Sequence, residues 1–168
     1  MNRYTALRDD PMDSATYRQQ YRLAWEQLVA ELEFGLFVTL NFNRDTTPAG
    51  ARRMLGLFLA RLDRRFLGHR WCRKGPERTL GMAVLENQET NLHIHLAMRL
   101  PASAAALSFS EQQLYLESTW NQLVAGGQCH VQAVHDRVGV AQYMAKQLTR
   151  RGYIGTYILF TEFHNQDA

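Results

Sequence analysis

Two short stretches of this chain carry the residues best suited to chemistry. "ETNLHIHLAM" (89–98) sets His93 and His95 two apart, and "VAQYMAKQLTR" (140–150) sets Tyr143 three residues ahead of Lys146. Two imidazoles on one side of a strand, joined by a carboxylate, can hold a divalent ion and leave coordination positions for substrate and water. A phenol beside a cation can serve as a nucleophile. Between residues 91 and 100, Leu92, Ile94, Leu96, Met98 and Leu100 alternate with His93, His95, Ala97 and Arg99. At the strand period of two, the first set faces a core and both imidazoles project from the opposite face.

The third ligand is expected from the neighbouring strand. Glu86 ends "GMAVLE" seven residues before His93, with a turn between. Any register that pairs Glu86 with His93 or His95 brings its carboxylate to cross-strand contact distance. Glu89, in the turn itself, is the competing carboxylate. Other His-x-His arrangements fit poorly. A metallo-β-lactamase-like pattern needs Asp where Ala97 stands, a cupin needs a Glu soon after the pair, and a barrel amidohydrolase needs a far longer chain. Two-histidine phosphoesterases use the motif twice, and it occurs here once.

Seventeen of the nineteen basic residues are arginine, and one of the two lysines is Lys146. At helical spacing, Tyr143, Lys146, Gln147 and Arg150 make one polar face, while Val140, Ala141, Met144 and Leu148 make the buried stripe. The net charge of +3 conceals a basic segment from Arg52 to Arg78, where nine Arg or Lys face only Asp63 and Glu77. A concentration of this kind attracts a phosphate backbone by charge and counterion release.

The remaining elements must position these groups. Residues 14–33 read as a helix with a stripe of Tyr21, Trp25, Leu28 and Leu32, and "FGLFVTLNFN" (34–43) alternates as a strand. In that strand Leu36, Val38, Leu40 and Phe42 share one face, and Phe37, Thr39 and Asn41 the other. Residues 49–66 form an arginine-flanked helix, "LGHRWCRKGPER" a basic loop, and "TLGMAVLE" and "NLHIHLAMRL" an antiparallel hairpin. A helix follows at 110–125 (Leu114, Leu116, Trp120, Leu123), then a strand in "GGQCHVQAV" and a helix in "DRVGVAQYMAKQLTRRG". "YIGTYILFTEF" supplies a last edge strand. The order predicts an α+β domain, an antiparallel sheet flanked by helices, spanning 1–168 as one unit.

A hydrophobic share of 46% and a charged share of 21% exclude a disordered chain, and no apolar stretch approaches the length of a membrane span. The polar N-terminus does not read as a secretory signal, and Cys72 and Cys129 form no CxxC pair, so a reducing cytoplasmic setting is expected. A motor is also excluded, because no phosphate-binding GxxxxGK[ST] loop is present.

His-x-His on a strand followed by Tyr-x-x-Lys on a later helix resembles the HUH endonucleases, here the single-tyrosine kind found in rolling-circle replication initiators. "FVTLNF" resembles their first motif, "HIH" the metal-binding second, and "YMAK" the third, in the family's order across residues 37–146. Phage-type or plasmid-type replication proteins are the better match. REP-associated tyrosine transposases carry characteristic residues before the histidine pair that "ETNLHIH" lacks. The resemblance implies a central antiparallel sheet of ferredoxin-like type with Mg²⁺ or Mn²⁺ held by Glu86, His93 and His95. It also implies that Tyr143, assisted by Lys146, nicks single-stranded DNA through a 5′-phosphotyrosine. Phe37, Thr39 and Asn41 are then expected to touch the nucleotide, joined by Gln147 and Arg150. Arg61, Arg64, Arg65, Arg73 and Lys74 would grip the backbone or a flanking hairpin, and a separate helicase would unwind the strand. A non-catalytic DNA-binding regulator on the same fold, a related transposase or relaxase, and a metal-dependent hydrolase using water are the alternatives.

Overall fold

Alternation of apolar and polar residues builds the sheet that carries the histidines. The computed structural model describes residues 15–31, 33–87, 90–148 and 157–164. Its strands are Leu36–Asn41 (β1), Leu80–Glu86 (β2), His93–Arg99 (β3), Gln128–Ala133 (β4) and Tyr157–Leu159 (β5). The helices are Ala15–Glu31 (α1), Pro48–Leu67 (α2), Phe109–Leu123 (α3) and Arg137–Leu148 (α4). Every strand pair is antiparallel, in the order β4-β1-β3-β2-β5. The run β1-α2-β2-β3-α3-β4 is thus the split βαβ, ferredoxin-like connection, extended by β5 along the edge of β2. The expected α+β architecture is present.

Local signals set where the helices start and stop. Thr47 caps α2 by accepting a hydrogen bond from the Gly50 amide at 3.1 Å, and Pro48 takes the first helical position, where its missing N–H costs nothing. Gly68, at φ 81°, closes the helix in a conformation that disfavours a side chain. Ser108 and Glu111 form a reciprocal capping box at the start of α3.

The sheet divides two apolar clusters. On one face, Val38, Leu40, Ile94, Leu96 and Met98 pack against Leu55, Phe58, Leu59 and Leu62 of α2 and Leu116 and Trp120 of α3. Right-handed crossovers require both helices to lie on the same side. On the other face, Met82, Val84 and Ala97 pack against Trp25 and Val29 of α1 and Ala141, Met144 and Ala145 of α4. Two expected stripes shift: Leu28 is 38% and Leu114 65% exposed, while Val29, one residue along α1, is buried. Leu32, the end of the expected last helix and the first residues of "YIGTYILFTEF" lie outside the described residues, as do the side chains of Tyr21 and Leu148. Among the described residues, no helix is long and apolar enough to cross a membrane.

The basic loop after α2 is less open than its sequence implies. Arg78 donates from Nε to Asp63 Oδ2 at 2.8 Å, the Thr79 amide and hydroxyl both donate to Asp63 Oδ1 at 2.7 Å, and the Trp71 ring lies 4.5 Å from the guanidinium carbon. Both charged side chains are 1% exposed. This buried pair fastens α2 to the start of β2.

Candidate metal centre

The β2–β3 hairpin assembles the site. Its register pairs Glu86 with His93 and Val84 with His95, so both imidazoles and the carboxylate leave the same face of the sheet. Glu86 Oε2 lies 2.8 Å from His93 Nε2 and 2.6 Å from His95 Nε2. The three ligand atoms lie within 4.8 Å of one another, an arrangement that can hold a metal ion. Among the described residues Glu86 is the carboxylate that converges on the histidines; Glu89 lies outside them.

The outer contacts orient both rings. His93 Nδ1 lies 3.1 Å from the Asn91 carbonyl oxygen, which can only accept, so Nδ1 carries the proton. Asn91 presents that carbonyl from a left-handed backbone, φ 51°, a conformation asparagine tolerates better than most residues. A neutral His93 therefore turns a lone pair on Nε2 toward a carboxylate oxygen. Two acceptors at 2.8 Å repel unless a proton or a metal ion lies between them. His95 Nδ1 lies 3.0 Å from Thr39 Oγ1, a hydroxyl able to donate or accept, and so compatible with either tautomer. Imidazoles held through their second nitrogen are a usual feature of histidine metal sites. The residues present fit a divalent ion.

Electrostatics support the same reading. Burial by itself would raise the pKa of Glu86, but hydrogen bonds and charge from His95 and His93 outweigh it and hold the carboxyl below its usual value. Burial pushes the pKa of His95 down despite the opposing pull of Glu86, favouring the neutral imidazole that a ligand requires. Tyr143 is raised by burial and then by the negative charge of Glu86.

Tyr143 comes from α4, 48 residues beyond His95, and its hydroxyl lies 3.3 Å from His95 Nε2. Phe37 stacks on His95 with centroids 5.6 Å apart and planes at 10°, and the Tyr143 ring stands edge-on to both. Phe37 and Thr39 therefore touch the metal-face side chains directly. Asn41 pairs across from His93 and is half-buried, on the same face. Beyond β1 this face continues into Gln128, His130 and Gln132 of β4, all exposed, with His130 opposite Thr39. Lys146 and Gln147 lie in the last turns of α4, their side chains outside the described set, and Arg150 lies outside it altogether.

Arg61, Arg64 and Arg65 are not brought to this site. They stand on α2, whose apolar side packs on the opposite face of the sheet. Arg73 and Lys74 precede the far end of β2, about 20 Å from Glu86 at the strand rise of 3.3–3.4 Å per residue. Sequence reasoning missed the contact from Thr39 to His95 and the carbonyl of Asn91. The polar face of β1 was the available signal for the first. Neither protein-family models, nor curated proteins, nor solved structures match this chain.

Proposed function

We propose that the protein is a metal-dependent endonuclease of the HUH type that nicks and rejoins single-stranded DNA through Tyr143. The observation that carries this reading is the Tyr143 hydroxyl, 3.3 Å from the His95 nitrogen that turns toward Glu86. A nucleophile for phosphate belongs beside a charge-neutralising centre, and Tyr143 brings its hydroxyl there from a residue that is 44% exposed and so open to a strand. With two imidazoles and one carboxylate as donors, Mn²⁺ suits the group better than Mg²⁺, which prefers an all-oxygen shell. When bound, such an ion supplies positive charge for a non-bridging phosphate oxygen and alignment of the scissile group.

This chain's own residues do the rest. The Tyr143 oxygen attacks phosphorus, the bond from phosphorus to the 3′ oxygen breaks, and the released strand ends in a 3′-OH while the other end stays on the protein as a 5′-phosphotyrosine. The phenol proton passes to solvent, to which Tyr143 is open, and the leaving oxygen takes one up. Because a free phenol is only about 0.1% ionised at neutral pH, and burial and Glu86 disfavour ionisation further, the reaction depends on added positive charge. Lys146, one helical turn from Tyr143, is the chain's own candidate for part of it. Phe37 and Thr39 orient the ring of His95, and Phe37 with the polar edge of β1 and β4 offers a surface for the strand. The setting that suits this chemistry is initiation of rolling-circle replication of a phage or plasmid, with a separate helicase, in the cytoplasm.

The test is incubation with end-labelled single-stranded DNA, with and without Mn²⁺. A protein–DNA species that survives boiling in detergent and is joined through the 5′-phosphate is expected for wild type and absent for Tyr143→Phe. Adduct formation by Tyr143→Phe, or hydrolysis without any adduct in wild type, overturns the reading.

A further inference from the structure

The arginines of α2 do not serve the metal face, and their arrangement has its own logic. Arg53, Arg61, Arg64 and Arg65 are exposed, and at about 100° per residue they fall within one third of the helix circumference. From Arg53 to Arg65 the row covers about 18 Å of a rigid helix at 1.5 Å per residue. Arg70 and Arg73, also exposed, extend it beyond the helix end. Among the described residues, no carboxylate forms an ion pair with any of these six. Asp63, the single acid of α2, is withdrawn from the surface into its pair with Arg78.

The aromatic rings of this layer are already taken. The Arg65 guanidinium lies 4.6 Å from the centre of the Tyr115 ring, and the Arg78 guanidinium 4.5 Å from that of Trp71. Phe109 is exposed but belongs to a separate cleft with Gly35 and Pro101. Binding of a single strand relies on open rings on which bases stack, and among the described residues the α2 row has none to offer. Guanidinium groups spaced along a rigid helix, with no open ring beside them for a base, suit phosphates held at fixed spacing, which is the backbone of a duplex.

We propose that α2 forms a second nucleic-acid surface, for duplex phosphate backbone, on the side of the sheet opposite the metal centre. The sheet and a helix of about 10–12 Å diameter separate the two surfaces, so a strand lying at Tyr143 does not reach the α2 row. One DNA occupies both only by presenting a single-stranded segment to one face and a paired segment to the other. The identity of the polyanion as DNA rests on the proposed function, while the position and character of the surface do not.

The test is fluorescence anisotropy of the full chain with a blunt 20-base-pair duplex in EDTA, from 50 to 200 mM salt. Wild type should bind, with log affinity falling by about 0.9 per phosphate neutralised on each tenfold rise in salt. R61E/R64E/R65E should flatten that slope by about 2.7, and R64E alone by about 0.9, so the single variant decides the matter where the triple one folds poorly. Arg22→Glu, the same charge change on α1, should leave the slope alone. An unchanged slope in R64E, an equal effect of Arg22→Glu, or an equal loss of single-strand affinity in R64E overturns the proposal. So does equal wild-type affinity for polyglutamate of the same length, which would assign the surface to an acidic protein. Duplex binding without an adduct at Tyr143 sinks the nickase alone; an adduct without duplex binding sinks this proposal alone.

Discussion

If Glu86, His93 and His95 hold a divalent ion, that ion must stabilise the fold, because the three groups converge only when β2 and β3 are paired. A ligand that binds the folded state alone, at a hundred times its dissociation constant, contributes about 2.7 kcal/mol. A chain of 168 residues unfolds with an entropy near 2.1 cal/mol/K per residue, or about 0.35 kcal/mol/K in all. The expected rise in Tm is therefore about 8 °C over protein treated with chelator. Differential scanning fluorimetry across a Mn²⁺ titration measures it, with calorimetry for the affinity. His93→Ala and His95→Ala should each lose the shift while remaining folded, since neither ring belongs to an apolar cluster. Glu86→Gln should separate two effects. Without metal its Tm should stay within a few degrees of wild type, because an amide N–H can donate to the Nε2 lone pair of His93. The Mn²⁺ shift should vanish, because the neutral amide replaces the one anionic ligand. A full shift in Glu86→Gln, or in both histidine variants, refutes the proposed ligand set.

Thr39→Val keeps the shape of the side chain and removes the hydroxyl beside His95 Nδ1, so metal affinity should fall by about 10–100-fold. Thr39→Ser should restore it, and calorimetry that shows no change in Thr39→Val would remove Thr39 from the site. Acidification should destabilise the metal-free protein in two steps. The folded pKa of His95 lies below the usual 6.5, so the unfolded chain binds the proton more readily and stability falls as pH drops through 6.5 toward the folded value. Glu86, also lowered, contributes stability present above its unfolded value near 4.5 and lost as pH falls through its folded pKa. Thermal melts from pH 7.5 to 4 should show a first step that His95→Gln removes; a wild-type profile flat between pH 7 and 5 contradicts the account. Asp63→Ala leaves the buried Arg78 charge uncompensated and should cost about 3–5 kcal/mol. At the entropy above that is about 9–14 °C in Tm, and a loss below 3 °C would show that the pair does not fasten α2 to β2.

Much of the metal group was legible because it is local. Alternation alone sends His93 and His95 to one face, and the short turn before them leaves few registers for Glu86, so the ligand triad follows from one hairpin. The capped start of α2 and the strand character of β1 were readable for the same reason: their signals lie within a few residues of the feature. Thr39 and His95 are 56 positions apart, and their contact depends on β1 lying beside β3 in a register that no local pattern specifies. The approach of Tyr143 to His95 likewise depends on α4 packing over β2 and β3 through Met144 and Ala145, a long-range choice made by the fit of apolar surfaces. The basic segment shows the division most plainly. Its charge is a property of composition, but which arginines stay on the surface, and on which side of the sheet, follows from burial of Asp63 with Arg78 and from the crossover that carries α2 to the face opposite the histidines.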